Sequence, residues 1–338
     1  MRSSVTVKLH IGDAIPRASE KSTGEILALW QQISRSFHQR PFTAPRDTNG
    51  KPGPYLLTLD ASSLVKTLEA AKTRSKTFNA HRQAYVEDPS VKIEGELEVR
   101  VESEDHEPGE LEAYHVASVF IQQLAIAANL IIPGSFHLLG TRFMGEGAHR
   151  YEAQAFDSVI FYGARKAVKS AEWPRLQPLP LETVWAWLDS CEVSHKSTAI
   201  KDINKVLFTL LKIAEQRHEY SARTVLMVVY QLELLLNCRE PGPLKRSRNR
   251  TRLILGEIPE AADCFNELFE VRDSLFLASQ PVHRPTLICH TTAREIQAQS
   301  GQHNRAVESG TAMVLALLQD LIEHNARNYH FIENFSYR

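Results

Sequence analysis

The segment VKIEGELEVRVES, residues 91–103, alternates apolar and charged side chains along most of its length. Alternation with a period of two is typical of a β-strand that buries one face and exposes the other to solvent. The apolar positions are Ile93, Leu97, Val99 and Val101, and the charged positions are Glu94, Glu96, Glu98, Arg100 and Glu102. The segment therefore predicts a strand, and with it a sheet in this part of the chain.

The acidic residues of this strand, Glu94, Glu96, Glu98 and Glu102, form a row on one face. Such a row can suggest a site for a divalent metal. Carboxylates along a single strand repel one another, however, and lack the ligands from other elements that Mg²⁺ or Ca²⁺ requires. We therefore expect no metal site, and we interpret the row as a solvated face that protects a sheet edge from aggregation.

Further elements surround this strand in residues 1–171. Strands are predicted at 135–143 and 150–164, separated by the glycine-containing turn MGEGAH, and helices at 62–76 and 113–130. This mixture predicts an N-terminal α+β domain, for which the sequence indicates no specific ligand or partner.

The segment EWPRLQPLPLE, residues 172–182, holds Pro174, Pro178 and Pro180 and predicts an extended linker, because each proline disfavours helix in the residue before it. The following helix contains Trp185 and Trp187, which point in different directions, so at least one is expected to pack in a core. Residues 183–338 predict an all-α helical domain. Its helices are predicted at 181–191, 197–216, 221–238, 251–256, 260–279 and 306–326.

Composition and charge narrow the classes of function. The 338 residues carry 39 basic and 40 acidic side chains, a formal charge of −1, so any attraction to nucleic acid must be local. The N-terminus lacks the apolar core of a signal peptide, and the apolar stretch 116–132 is interrupted by polar residues, which predicts a buried helix and no membrane span. Four cysteines without a CxxC motif indicate a reducing cytoplasm. No phosphate-binding loop, dinucleotide fingerprint, zinc-protease motif or serine-hydrolase motif is found, and no cofactor is expected.

The C-terminal half resembles the HEPN domain family, and within it the bacterial Apea-like branch. The resemblance spans about residues 173 to 326 and is carried by four runs in order. They are PLPLETVWAWL (178–188), YQLELLL (230–236), RTRLILG (250–256) and LFEVRDSLFLA (268–278). It implies a HEPN-like helix bundle that forms a homodimer. It implies nothing about residues 1–170.

The resemblance also implies a site that cleaves RNA without a metal. In that family an Arg, with a His shortly after it, lies at the dimer interface; the Arg binds a phosphate and the His moves a proton. Arg272 matches the Arg. The positions where the His is expected are Leu277, Ala278 and Ser279, and the next His is His283, with ten residues between it and Arg272. If Ser279 and Pro281 end the helix, the chain can turn His283 back toward Arg272; otherwise Arg272 is a cation at a helix end.

Two other Arg–His pairs have a spacing like that of the family's Arg and His: Arg284 with His290, and Arg142 with His149. Pro285 follows Arg284 directly, so a continuous helix through Arg284 is not expected, and the segment from Arg142 to His149 contains two glycines and predicts a turn. Neither pair stands at the position that the resemblance indicates.

The tract KRSRNRTR, residues 245–252, places five cations within eight residues: Lys245, Arg246, Arg248, Arg250 and Arg252. Such a cluster can neutralise several phosphates and bind nucleic acid in a salt-sensitive way. The alternative is a solvated basic loop that leads into a helix. The tract contains no aromatic residue to stack on a base, so sequence-specific recognition is not indicated.

Two functions remain open from the sequence. The first is a HEPN-like ribonuclease in a toxin or phage-defence role, with Arg272 and His283 as its catalytic pair and RNA as its partner. The second is a non-catalytic scaffold that dimerises or binds nucleic acid, while the N-terminal domain senses an unknown partner or ligand.

Overall fold

The computed structural model describes residues 3–15, 20–46, 52–74, 77–79, 84–86, 93–144, 150–215, 221–238, 243–277, 279 and 294–332. The chain divides into two compact units. Unit 1 comprises residues 1–163, 178–199 and 210–218, and unit 2 comprises residues 164–177, 200–209 and 219–338. Because an antiparallel sheet and separate helices make up the chain, the predicted α+β class is confirmed.

All of the β-strands in the described part of the chain lie in unit 1. They are β1 (Ser3–Ile11), β2 (Arg40–Pro45), β3 (Pro52–Asp60), β4 (Thr77–Asn79), β5 (Ala84–Val86), β6 (Gly95–Ser103), β7 (Arg142–Met144) and β8 (Arg150–Glu152). Six of them form one antiparallel sheet in the order β2-β3-β6-β1-β7-β8, and β4 pairs with β5.

The predicted strand in residues 91–103 is confirmed as β6. Leu97, Val99 and Val101 are buried, and β1 places Val7 opposite Val99, so the apolar faces of the two strands coincide. The expectation that the acidic row protects a sheet edge is wrong, because β6 lies between β3 and β1. Its charges have partners: Lys8 lies opposite Glu98 with an N–O distance of 2.8 Å.

The helices of unit 1 include α1 (Glu20–Ser36), α2 (Ser62–Arg74) and α3 (Glu110–Ile131). The last two confirm the helices predicted at 62–76 and 113–130. By length and composition α3 could cross a membrane, but 78% of the apolar 18-residue stretch within it is buried inside the protein. This burial agrees with its prediction as a core helix.

The strand predicted at 150–164 is correct only at its beginning. Residues from 159 onward form helix α4 (Val159–Ala171), although Val159, Ile160 and Phe161 have high strand propensity. The Asp157 carboxylate accepts a hydrogen bond of 2.9 Å from the Val159 N–H and so satisfies a donor at the start of the helix. Burial of these three apolar side chains in the helical conformation outweighs their local preference.

The division into units differs from the predicted boundary at 172–182. Helix α5 (Leu181–Ser190) belongs to unit 1, because Trp185 is fully buried against Phe37, Phe42 and Phe120. Trp187 is buried as well. The proline-rich segment before α5 contains no helix or strand, as predicted, but it precedes a core helix of unit 1 rather than separating two consecutive domains.

The remaining helices are α6 (Asp202–Ala214), α7 (Ala222–Leu235), α8 (Pro243–Leu255), α9 (Phe265–Phe276) and α10 (Arg294–Glu323). In unit 2, α10 packs against α7 and α9. Gly310 permits a close approach, since a Cβ added there would lie 2.5 Å from Val228 Cγ1 of α7 and 3.2 Å from Leu268 Cδ1 of α9. These helices form the framework on which the charged residues described below are held.

Candidate nucleic-acid interface

The basic tract lies entirely within α8, which begins at Pro243. The alternative of a basic loop that leads into a helix is therefore wrong. Proline is well tolerated at the first helical position, and Lys and Arg are good helix formers, so the local sequence supports this helix. A helix turns about 100° per residue, so neighbouring cations of the tract project in different directions.

Arg248 has a structural role within unit 2. Its guanidinium lies 3.2 Å from the Asp263 carboxylate, donates to Asn266 Oδ1 at 3.1 Å, and lies over the ring of Phe265. About three-quarters of the side-chain surface of both Arg248 and Asp263 is shielded from solvent. The positive charge of Arg248 is therefore compensated and holds α8 against the beginning of α9.

Arg250 binds the end of α7. Its Nη1 donates to the carbonyl oxygens of Leu236 and Asn237 at 2.8 and 2.7 Å. The last carbonyls of a helix have no partner within the helix and carry partial negative charge, so a cation stabilises them. These two acceptors are uncharged carbonyl groups.

Arg252 is exposed and forms an ion pair of 3.5 Å with the still more exposed Glu257. Such pairs contribute little because water screens them. The five predicted residues thus differ: Arg248 and Arg252 pair with carboxylates, whereas Lys245, Arg246 and Arg250 line a common cleft.

This cleft has a volume of about 370 Å³. Its polar wall consists of Lys245, Arg246, Asn249 and Arg250. Its apolar wall consists of Leu253, Phe331 and Ile332. The aromatic residue that the tract itself lacks is therefore supplied by a residue about 80 positions later in the chain, which no local sequence pattern indicates.

Contacts of Phe331 and of its neighbour Tyr329 hold this part of the C-terminal segment in place. The guanidinium carbon of Arg250 lies 4.3 Å from the centre of the Phe331 ring, the distance of a cation–π contact. Nearby, the Tyr329 hydroxyl binds the Leu317 carbonyl at 2.7 Å and the Asp320 carboxylate at 2.9 Å. Burial and the bond to Asp320 raise the pKa of Tyr329, so it remains a neutral donor that fixes the C-terminal segment to α10.

Arg272, the predicted catalytic arginine, lies near the end of α9 and is 27% exposed. Its guanidinium forms ion pairs with Glu233 of α7 at 3.4 Å and with Asp273 at 3.1 Å, and it lies over the rings of Phe269 and Phe276. Glu233 and Arg272 come from two of the four runs quoted above. The tertiary structure brings the two runs into contact through this ion pair.

Burial raises the pKa of Glu233, and the adjacent Arg272 partly opposes this rise. The pair therefore places a carboxyl group that is difficult to ionise beside a guanidinium. Arg272 is largely compensated in this arrangement.

The predicted partner His283 lies outside the described residues, as do Arg284, His290 and His149. Leu277, at the first position where an imidazole is expected, is 77% exposed. The contacts of Arg272 with the described part of the chain are to carboxylates and aromatic rings, and none is to an imidazole. Arg142 is an exposed residue of β7.

A buried cluster in unit 1 contains the residue types of a catalytic triad, Ser158, His137 and Asp157. The Ser158 backbone N–H donates to His137 Nδ1 at 3.2 Å, and Asp157 Oδ1 lies 3.7 Å from that same nitrogen. All three side chains are almost completely buried. The Ser158 hydroxyl donates to the Gly134 carbonyl at 3.3 Å and lies 3.4 Å from the same Nδ1. Because the serine and the carboxylate face one ring nitrogen instead of opposite ones, and no solvent reaches the hydroxyl, the cluster stabilises the loop before α4 and lacks the geometry of a triad.

Within the described ranges, His, Cys, Asp and Glu side chains form no group of three that could hold a metal ion. In comparisons with known proteins, no family model, no curated protein and no solved structure matches this chain.

Proposed function

We propose that the protein binds RNA through the basic face of α8. The observation that carries this proposal is the cleft in which Lys245, Arg246 and Arg250 meet the ring of Phe331. Cations bind phosphates without regard to sequence, and an aromatic ring adds a surface for a base. Since the whole chain has a formal charge of −1, a local cluster is the feature that can attract a polyanion.

The test is RNA binding by variants of α8, measured by fluorescence anisotropy at several salt concentrations. Replacing both Lys245 and Arg246 by Gln is expected to weaken binding about tenfold or more and to reduce the salt dependence, because fewer counterions are released. Arg252→Gln is the matched control, since it removes a cation of the same helix that does not line the cleft. Equal binding by the double variant and the wild type would refute this site.

We further propose that bound RNA is cleaved without a metal at Arg272, as the HEPN resemblance implies. The observation behind this second function is the position of Arg272, whose partly exposed guanidinium lies beside exposed Phe276 and can hold a phosphate that displaces Glu233 and Asp273. In this proposal His283 moves the proton of the ribose hydroxyl or of the leaving oxygen. The same resemblance supports a HEPN-like bundle in the C-terminal half, a homodimer and a role in toxicity or phage defence. The four cysteines, which form no CxxC motif, support a cytoplasmic location.

Cleavage is tested by incubating the protein with total RNA in EDTA. Wild-type protein is expected to degrade RNA, and Arg272→Ala and His283→Ala are expected to lose the activity. If only His290→Ala abolishes cleavage, His290 is the proton-transfer group instead. If the wild type binds RNA but never cleaves it, the non-catalytic scaffold replaces the ribonuclease.

A further inference from the structure

The residues of the cleft on α8 occupy one face of that helix. At about 100° per residue, positions 245, 246, 249, 250 and 253 fall within a sector of about 140°, and position 248 lies about 60° outside this sector. The polar residues of this face therefore project together, and Leu253, which is 78% exposed, continues the same face toward the end of the helix.

The C-terminal segment completes the cleft with an aromatic ring in a defined orientation. Arg250 is fixed by two carbonyl oxygens and stacks on Phe331, while Tyr329 ties the segment to α10. A ring that is positioned before a ligand binds loses little conformational entropy on binding. Ile332 beside it is 76% exposed, so the apolar wall is open to solvent.

We propose that this cleft binds an unpaired nucleotide of an RNA strand, with the base against Phe331 and the adjacent phosphates at Lys245 and Arg246. This inference rests on the proposed RNA binding and adds a preference for single strands over duplexes. Bases inside a duplex are stacked on one another and cannot contact a side-chain ring, whereas unpaired bases stack readily on aromatic residues. Cations alone bind both forms.

The dimensions of the cleft agree with this ligand. Its volume of about 370 Å³ falls within the usual range for sites that hold one small organic molecule. From position 245 to position 253 the helix rises about 12 Å, which leaves room for phosphates on either side of one base. A free mononucleotide offers the same chemistry with fewer phosphates, so it is a separate arm of the test.

The experiment uses the full chain and three labelled or competing ligands: a short unstructured RNA, a blunt RNA duplex of equal length, and unlabelled UMP or AMP. Affinities are measured for the wild type and for Phe331→Leu, Phe331→Met and Phe331→Tyr. The Leu and Met variants keep an apolar side chain without an aromatic face, and the Tyr variant restores the face. Thermal unfolding verifies that each variant is folded.

Phe331→Leu and Phe331→Met are expected to weaken binding of the unstructured RNA by about 5-fold or more, as the loss of one base–aromatic stack predicts. Binding of the duplex is expected to stay nearly unchanged, and Phe331→Tyr is expected to bind like the wild type. Mononucleotides are expected to compete only weakly.

Unchanged single-strand binding in folded Leu and Met variants would overturn the inference, as would an equal loss for the duplex. Competition by UMP or AMP as strong as by the oligonucleotide would also overturn it, because the site would then belong to free nucleotides. In the first two cases the loss of binding in the Lys245 and Arg246 double variant still supports the proposed function. If the wild type binds neither RNA, both proposals fail.

Discussion

Arg250 and Arg272 are two arginines of unit 2 that lie in similar positions and make different contacts. Each binds an element other than its own helix, and each lies over an aromatic ring. Arg250 donates to uncharged carbonyls, whereas Arg272 is paired with two carboxylates. At Arg272 a phosphate must displace Glu233 and Asp273 before it can bind.

This difference shows that a basic residue in a promising position is not in itself a phosphate site. The net charge of its surroundings decides how strongly it attracts an anion. The α8 cleft supports RNA binding because Lys245, Arg246 and Arg250 line it together with Phe331. The Arg272 site supports catalysis only if a substrate displaces the carboxylates.

Among the variants that test this comparison, Arg250→Ala is expected to have the largest effect on stability. It removes two hydrogen bonds from a charged donor to the end of α7 and the contact with Phe331, so the free energy of unfolding is expected to fall by about 2 kcal/mol. Urea denaturation measures this change. Arg250→Lys keeps the charge but not the planar fork, and it is expected to recover only part of the stability. Full stability in the Ala variant would show that these contacts are unimportant.

Arg272→Ala is expected to have a smaller effect, about 1 kcal/mol at neutral pH, because the pair is partly exposed. The variant leaves the buried Glu233 carboxylate without its counter-charge, which raises the pKa of Glu233 further. The loss of stability is therefore expected to shrink as the pH falls and Glu233 becomes protonated. Urea denaturation at neutral pH and near pH 5 compares the two conditions. A loss that does not depend on pH would mean that the ion pair has no influence on Glu233.

The smallest effect concerns Glu233 in the protein with Arg272 intact. Because its pKa is raised in the folded state, the folded protein holds a proton more tightly than the unfolded chain, and stability falls as the pH rises from the ordinary value of 4.5 through the raised value. Glu233→Gln cannot ionise, so this part of the pH dependence is expected to flatten. Unfolding free energies across that pH window measure it, and curves of identical shape would contradict the assignment.

The two charged runs of the sequence illustrate how much could be predicted. In β6 the period of two puts the acidic residues on one face, and this could be predicted from the sequence. Their partner Lys8 is about 90 residues away and could not be inferred, because strand pairing is decided by the whole sheet. In α8 the cations spread around the helix, so one tract contains both structural and exposed residues. The prediction could not separate them without knowing where Asp263 and Leu236 lie.

The local elements show the same limit. Helices α2 and α3 and strand β6 follow from periodicity, since each reads as an amphipathic or apolar pattern over adjacent residues. The helical start at Val159 and the placement of Trp185 in unit 1 were missed, because both depend on side chains that approach from distant parts of the chain.

By itself the sequence determined the α+β class, the central strand, the main helices and the presence of a local basic cluster in a nearly neutral protein. The tertiary structure alone decided that Phe331 joins this cluster, that Glu233 compensates Arg272, and that the helix after the prolines belongs to unit 1. The physical reason is the separation along the chain over which each effect acts. Hydrophobic periodicity and helix propensity depend on residues that are close together in the sequence. The charge and shape of a site depend on residues that only folding brings together.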